Sequence, residues 1–191
     1  MSRILVFSGS ARTESFNKRL ARLAAESVEQ QGGEATFVDL RDYPMPFYDG
    51  DLEQASGVPE HARRMKALLA EHQGLIVASP EYNGFITPLL KNTLDWLSRP
   101  DGEENGLALF QGRVACVVSA SPGGFGGMRS LTLARQLLVN LGVTVLPDQL
   151  AVPRAHQAFD ENGRFTDDGT RQRLDQLCAR LVDTVGRLHP D

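Results

Sequence analysis

Three segments of the sequence carry residues suited to binding a ligand, and each follows a short apolar run. The first is GSARTESFN, residues 9–17, which stands between an apolar run and an amphipathic one. The first turn of a helix has unpaired N–H groups and the positive end of the helix dipole, so it can accept an anion. The side chains that could add hydrogen-bond donors or charge there are Ser10, Arg12, Thr13, Ser15 and Asn17.

This first segment has neither of the common glycine patterns for phosphate binding. GxxxxGK[ST] is missing, which argues against a P-loop nucleoside triphosphatase, and GxGxxG is missing, which argues against a Rossmann pyrophosphate turn. A loop rich in hydroxyl groups at the start of a helix suits a single terminal phosphate monoester. The alternative is that Ser15 only caps the helix, because serine is a preferred N-cap residue.

The second segment is SPEYNGFITPLLKNTLDWL, residues 79–97. Asn83 and Gly84 form a turn signal, and glycine lets the backbone approach a flat ligand. Backbone N–H and C=O groups here could pair with the edge of a ring that presents both donors and acceptors. Tyr82 could line such a pocket or lie at a surface or interface, and Glu81 could act as an acid or simply be solvated.

The third segment is SASPGGFGGMRS, residues 119–130, with four glycines and one proline. Glycine has no Cβ, so the N–H groups of this segment could lie against a ligand and stabilise negative charge on it. Ser121 could donate a further hydrogen bond. The alternative is a flexible loop without a ligand, although loops on a rigid scaffold often carry binding residues.

Strand and helix patterns alternate along the chain, and this alternation would position the three segments. Five apolar runs of strand length occupy residues 3–8, 35–40, 74–79, 113–120 and 143–152. Five helical patterns occupy residues 16–28, 58–69, 87–97, 131–141 and 174–185. Strands that are apolar on both faces are typical of a parallel sheet covered by helices, so we predict a doubly wound α/β three-layer sandwich. Ligands of such sheets bind beyond the carboxyl ends of the strands, where all three segments begin.

Two stretches interrupt this alternation. Residues 39–59 contain three prolines and are predicted to form a loop. Residues 158–169, AFDENGRFTDDG, are predicted to form a surface turn or a small hairpin.

Composition narrows the class of protein. The 191 residues fit one domain, residues 1–191, at roughly 100–200 residues per domain. The net charge of −4 comes without a basic tract, which argues against nucleic acid or a membrane as a partner. No apolar run approaches the roughly 20 residues of a membrane span, so a cytoplasmic protein is expected. Cys116 and Cys178 lack metal-ligand spacing and are predicted to be buried thiols.

Together the three segments resemble one family, the NAD(P)H-dependent FMN reductases. The matching patterns are GSxRxxSxN, PEYNxxxxPxLKNxxDW and SxGGxGGxR, and the resemblance runs over roughly residues 3–150. The family includes quinone, chromate and azo-dye reductases. The resemblance implies a flavodoxin-like fold with a five-stranded parallel sheet in the order 2-1-3-4-5. It also implies FMN as the cofactor and NADPH, or NADH, as the co-substrate.

Carried over by position, the resemblance implies a set of cofactor-binding residues. The segment 9–17 would hold the phosphate and ribityl chain, and the segments 79–97 and 119–130 would hold the isoalloxazine. The residues are Ser10, Arg12, Ser15, Phe16, Asn17, Pro80, Glu81, Tyr82, Asn83, Gly84, Ser121 and Gly124. No catalytic acid or base and no metal ligand is predicted, because the cofactor carries the chemistry.

The implied reaction is a ping-pong hydride transfer from the nicotinamide nucleotide to a small-molecule electron acceptor. Quinones, chromate, azo compounds and free flavin all remain open as acceptors. A different class also remains open, namely a flavodoxin-like electron carrier or redox-sensing flavin protein without rapid turnover. A third alternative is a flavin reductase that releases reduced FMN to a monooxygenase.

The resemblance also implies assembly of the chain into a homodimer or homotetramer, with the flavin near a subunit interface. Phe85, Ile86 and Trp96 are expected to supply apolar surface for that contact.

Overall fold

The centre of the protein is one parallel sheet of five strands. The computed structural model describes residues 1–103 and 105–190. Its strands are β1 (Arg3–Ser8), β2 (Glu34–Val38), β3 (Gly74–Ala78), β4 (Val114–Ala120) and β5 (Thr144–Val152). Their order across the sheet is β2-β1-β3-β4-β5, which confirms the doubly wound topology. All five lie within two residues of the predicted runs.

Helices cover both faces of the sheet. The α-helices of the described residues are α1 (Phe16–Gln30), α2 (Gly50–Ser56), α3 (Glu60–Glu71), α4 (Pro88–Leu97), α5 (Met128–Asn140), α6 (Ala155–Ala158) and α7 (Asp168–Leu188). Side chains of α1 and α7 pack on one face, and side chains of α3, α4 and α5 pack on the other. None of the helices in this described part is both long and apolar enough to cross a membrane.

The side chains of β1 alternate between the two apolar cores on opposite faces of the sheet. Ile4 and Val6 are buried against the α1 and α7 face, whereas Leu5 and Phe7 are buried against the opposite face. Successive side chains of a strand point to opposite faces, so a central strand must be apolar throughout. The inner position of β1 brings its carboxyl end beside that of β3.

The segment 39–59 is more ordered than the predicted loop. It contains a 3₁₀ turn at Leu40–Asp42 and the two-turn helix α2. Asp49 caps α2, because its Oδ1 accepts a hydrogen bond from the N–H of Asp51 at 2.8 Å. No residue of α2 is buried, so the helix has no apolar stripe by which the sequence could reveal it.

Trp96 was expected to supply apolar surface for a subunit contact, but the structure shows that it is buried. Its side chain is 0% exposed, and its Nε1 donates to the carbonyl of Pro46 at 2.8 Å. Tyr48 packs edge-on against the indole at 5.1 Å. The segment 39–59 therefore folds over α4 and covers Trp96. Ile86 is buried as well, and of the three expected surface residues Phe85 alone is exposed.

The stretch 158–169 forms the predicted small hairpin. Phe159 and Phe165 pair as an antiparallel bridge around a tight turn. Both cysteines are buried free thiols, as the sequence predicted.

Candidate functional site

The loops that follow β1, β3 and β4 meet at the carboxyl edge of the sheet and enclose one cleft. We call them the β1 loop (residues 9–15), the β3 loop (residues 79–87) and the β4 loop (residues 121–127). The cleft has a volume of about 90 Å³ and is also lined by Ala120 and Pro122. Nine of the predicted site residues line it, namely Ser10, Arg12, Ser15, Phe16, Asn17, Pro80, Glu81, Tyr82 and Ser121.

Asn83, Gly84 and Gly124 are not part of this lining. Asn83 and Gly84 lie at the tip of the β3 loop, and Gly124 lies on the β4 loop with open space where a Cβ would be. The cleft is smaller than a flavin. A flavin held here would therefore extend beyond the lining towards the open side of the loops.

The β1 loop leads into the N-terminus of α1 with its hydroxyl groups arranged to donate. Ser15 is the N-cap, and its Oγ accepts from the N–H of Lys18 at 3.4 Å. The Oγ of Ser10 accepts from the N–H of Arg12 at 3.3 Å. A hydroxyl that accepts from the backbone keeps its own proton for another acceptor. Arg12 is exposed and forms no ion pair with any described residue, so its charge is available to an anion.

Two carbonyl groups of the β1 loop are occupied by donors from other elements. The carbonyl of Gly9 accepts from Thr87 Oγ1 at 2.7 Å, and that of Ala11 accepts from Arg41 Nη2 at 2.6 Å. Gly9 must be glycine, because a Cβ would lie 2.8 Å from the Cβ of Leu90. The β1 loop is thus packed directly on the start of α4.

A partly buried ion pair lies behind the β1 loop, and the sequence did not reveal it. Lys18 is 2% exposed, and its Nζ contacts Asp39 Oδ2 at 2.7 Å. Burial raises the pKa of Asp39, but the hydrogen bonds from Lys18 and from the N–H of Arg41 outweigh burial and hold that pKa below its usual value. The pair joins the first turn of α1 to the end of β2. Its only signal in the sequence was a lysine inside an apolar helix pattern.

Asn17 joins α1 to the end of β4. Its Nδ2 donates to the carbonyl of Ala120 at 2.7 Å, and its Oδ1 accepts from the N–H of Ala120 at 3.0 Å. The side-chain amide is therefore used within the protein. Asn17 lines the cleft, but its side chain fixes the distance between two loops rather than standing free for a ligand.

The β3 loop ends in a miniature hairpin. Tyr82 and Phe85 exchange two backbone hydrogen bonds of 2.9 Å, and the turn between them is Asn83-Gly84. Both turn residues have positive φ, 53° and 82°, which is the type I′ geometry that Asn-Gly favours. The hairpin presents Tyr82 and Phe85 as exposed aromatic side chains beside the cleft.

Glu81 connects the β3 loop to the start of α5. Its side chain is 9% exposed, and Oε2 accepts from the N–H groups of Arg129 at 3.1 Å and Ser130 at 3.4 Å. Oε1 accepts from the guanidinium of Arg129, at 2.8 Å from Nε and also from Nη2. A carboxylate at a helix N-terminus is stabilised by the dipole. Glu81 therefore acts as the cap that α5 lacks, since its N-cap residue Gly127 has no side chain.

The glycines of the β4 loop divide into two kinds. A Cβ on Gly126 would lie 2.7 Å from backbone atoms of Val152 and Pro153, and a Cβ on Gly127 would overlap Ser119. These two glycines allow the loop to pack on β4 and β5. Gly124 faces open space, and a Cβ on Gly123 would make only an ordinary contact with Ser121 Oγ at 3.6 Å, so these two glycines have room to lie against a ligand.

The segment after residue 150 supports the site from behind. The ring of Phe16 stacks on Phe159 at 6.2 Å, and Phe159 stacks on Phe165 at 5.1 Å. This part of the chain carried no recognisable motif. Its hairpin nevertheless fixes Phe16, the first residue of α1.

A larger cleft of about 240 Å³ lies between α1 and the region of Arg164 to Asp175. It contains none of the predicted site residues, and it lies away from the carboxyl ends of the strands. Its charged groups pair with each other, as Arg164 does with Glu26 and Arg171 with Asp175. A cleft of about 340 Å³ near both chain termini is larger still and also holds none of the predicted site residues. Volume therefore does not single out the site, whereas residue chemistry favours the cleft between the three loops.

Comparison with known proteins identifies the family. The family model for NADPH-dependent FMN reductase matches residues 2–157. An NAD(P)H-dependent FMN reductase of Pseudomonas aeruginosa is 33% identical, with 97% of this chain and 96% of that protein covered. The chain belongs to the NADPH-dependent FMN reductase family. It is thus a flavin-dependent oxidoreductase with FMN as cofactor and NAD(P)H as co-substrate.

Two further relatives of this FMN reductase extend the comparison. An NADPH:quinone oxidoreductase of Arabidopsis thaliana is 32% identical, with 97% of this chain and 93% of that protein covered. The solved structure of a flavoenzyme NAD(P)H:(acceptor) oxidoreductase of Paracoccus denitrificans superposes with a TM-score of 0.82 at 26% identity, covering 98% of both chains. The fold and the enzyme class agree between sequence and structure comparisons.

The chemistry of the donor set fits FMN. The N-terminus of α1 offers unpaired N–H groups, with hydroxyl protons from Ser10 and Ser15 and the charge of Arg12 beside them. The β4 loop leaves room for a flat group at Gly124. An anion-binding end and an open space for a flat ring are therefore available on one side of the sheet, as FMN requires.

Proposed function

We propose that this chain is an FMN-dependent NAD(P)H oxidoreductase that passes electrons to quinones or similar small acceptors in a ping-pong cycle. The observation that carries the proposal is the convergence of three loops on one cleft at the carboxyl edge of the sheet. Quinones are the favoured acceptors among those that the sequence leaves open, because the names of several relatives specify quinones. Chromate, azo compounds and free flavin are secondary candidates.

The proposed binding roles follow from the available atoms. The first-turn N–H groups of α1, the hydroxyls of Ser10 and Ser15, and Arg12 would hold the phosphate. Backbone groups of the β3 loop and the ring of Tyr82 would line the isoalloxazine, with Ser121 and Gly124 on the opposite side. Asn17 and Glu81 would position the loops, since their side chains are occupied within the protein.

Bound FMN supplies the hydride chemistry, accepting a hydride from the nicotinamide and returning electrons to the acceptor. The protein's part is to bind and orient. Glu81 receives four hydrogen bonds, so it is poorly suited to act as a proton donor. The exposed guanidinium groups of Arg12 and Arg41 form no ion pair with a described residue, so they give the rim a positive potential that attracts a nucleotide phosphate. That rim is unlike the acidic docking face of an electron carrier.

The first test is the visible absorbance of the purified protein, titrated with FMN and then mixed with NADPH or NADH without oxygen. Rapid bleaching of the flavin bands, followed by rapid recovery with a quinone, is expected. Parallel lines in double-reciprocal plots would support the ping-pong order. Failure to bind FMN would refute the proposal.

Two other results of the same test would point to the alternatives. Binding of FMN without rapid bleaching would favour the carrier or sensor. Loss of flavin from the protein during turnover, detected by filtration, would favour a reductase that releases reduced FMN.

We further propose assembly into a homodimer or homotetramer. Tyr82, Phe85, Phe125 and Met128 are exposed apolar side chains on or next to the β3 and β4 loops, and Phe125 is 72% exposed. Apolar side chains grouped in this way favour contact with another surface. Sedimentation velocity should give two or four times the chain mass of 20.9 kDa, and a monomer over the whole concentration range would contradict this proposal.

A further inference from the structure

Arg41 lies outside the three loops of the site, yet its side chain holds the β1 loop. Its Nε and Nη2 donate to the carbonyl of Ala11 at 3.0 Å and 2.6 Å. Nη2 also donates to Thr13 Oγ1 at 2.9 Å. One planar guanidinium therefore contacts two residues of the segment that precedes α1.

The position of Arg41 is itself held by the ion pair between Lys18 and Asp39. Asp39 Oδ1 accepts from the N–H of Arg41 at 3.0 Å, while Asp39 Oδ2 accepts from Lys18 Nζ. Asp39 thus joins the first turn of α1 to the 3₁₀ turn that carries Arg41. The connection runs from α1 through Asp39 and Arg41 back to the loop that leads into α1.

The contacts made by Arg41 and Thr87 keep carbonyl oxygens of the β1 loop away from a bound anion. A carbonyl oxygen that pointed at a phosphate would repel it, whereas N–H groups attract it. The carbonyls of Gly9 and Ala11 are both occupied by outside donors, Thr87 and Arg41. Without Arg41, the Ala11 peptide would be free to rotate, and part of the binding free energy would be spent on ordering the loop.

We propose that Arg41 is a positioning residue for the phosphate end of the site, acting by holding the Ala11 peptide and Thr13 in a conformation that binds an anion. The inference rests on the proposed FMN site. It concerns the phosphate and not the ring, because none of the Arg41 contacts involves the β3 or β4 loop.

The test compares FMN with riboflavin, which has the same ring and no phosphate. Dissociation constants for both are measured by flavin fluorescence quenching with apoprotein of wild type, Arg41→Ala and Arg41→Lys. We expect Arg41→Ala to weaken FMN binding about tenfold, the scale of one charge-assisted hydrogen bond, and to leave riboflavin binding unchanged. Arg41→Lys should weaken FMN nearly as much, because a single ammonium cannot reproduce the planar contacts with Ala11 and Thr13.

The matched control is Arg63→Ala, which removes an exposed arginine that pairs with Asp101 away from the cleft. It should leave both dissociation constants unchanged. Two results would overturn the role of Arg41. One is an unchanged ratio of the FMN and riboflavin dissociation constants in Arg41→Ala. The other is full recovery of FMN binding in Arg41→Lys, which would assign the effect to charge alone. Absence of FMN binding to the wild-type protein would instead overturn the proposed function, and with it this inference.

Discussion

At the scale of single residues, the side chains around the cleft fall into two groups. Ser10, Arg12 and Ser15 have donors or charge to spare for a ligand. Asn17 and Glu81 make their hydrogen bonds to other parts of the chain. The sequence assigned both groups to cofactor binding, because residue type and position do not reveal which polar atoms are already satisfied.

Replacement of Arg12 tests the first group. Arg12→Ala should weaken FMN or nicotinamide nucleotide binding about three- to tenfold, because the bound anion loses an exposed charge partner. Isothermal titration with FMN and with NADPH measures both affinities. Identical dissociation constants for wild type and variant, with both ligands, would show that Arg12 contacts neither anion.

Replacement of Glu81 tests the second group. Glu81→Gln should lower the free energy of unfolding by about 1–2 kcal/mol, because the charge that caps α5 and pairs with Arg129 is lost. Urea denaturation provides the measurement. The matched control is Glu26→Gln, whose exposed pair with Arg164 should contribute no more than about 0.5 kcal/mol. Equal losses in the two variants would contradict the special role of Glu81.

At the scale of elements, the loops depend on close approach between strand ends. The β1 loop packs on α4 through Gly9, and the β4 loop packs on the end of β5 through Gly126. The type I′ turn at Asn83-Gly84 makes the β3 loop a small rigid hairpin. The site is therefore assembled from short, constrained connections rather than from long mobile loops.

The glycines of the β4 loop allow a matched comparison. Gly126 has a φ of +62° and backbone atoms 2.7 Å from the position of a Cβ, whereas Gly124 has nothing within 4 Å. Gly126→Ala should lower the free energy of unfolding by about 2–4 kcal/mol through strain and overlap. Gly124→Ala should change it by less than about 0.5 kcal/mol. Thermal unfolding of both variants measures the difference. Similar melting temperatures would contradict the distinction between the packed Gly126 and the open Gly124.

At the scale of the whole molecule, the sheet separates two apolar layers and keeps reactive groups inside them. Both cysteines lie in the layer between the sheet and the helices α1 and α7. Burial raises the pKa of Cys178 to about 12 and also raises the pKa of Cys116. The reactive thiolate form is therefore suppressed in the folded protein.

This burial predicts how the thiols react. At pH 8 an aromatic disulfide reagent should detect almost no thiol in the native protein and two after denaturation, because both thiols are buried. The slow native reaction should follow unfolding and accelerate with low concentrations of urea. Rapid reaction of one thiol without denaturant would contradict the buried position of that cysteine.

The sequence by itself determined the alternation of strands and helices, the three loops at the carboxyl edge, and the family. These depend on local patterns: apolar runs, helical periodicity, and short motifs that follow strands. Because α2 has no apolar stripe, the sequence pattern did not reveal this helix, and its residues were predicted to form a loop.

Only the tertiary structure decided which polar atoms remain free for a ligand. Three side chains form hydrogen bonds with residues far away in the sequence: Asn17 with Ala120, Glu81 with Arg129, and Arg41 with Ala11. Trp96 lost its expected surface role because a proline-containing segment folds over it. The physical reason is the same in each case: a residue's type sets which bonds it can make, while packing of distant segments sets which bonds it does make.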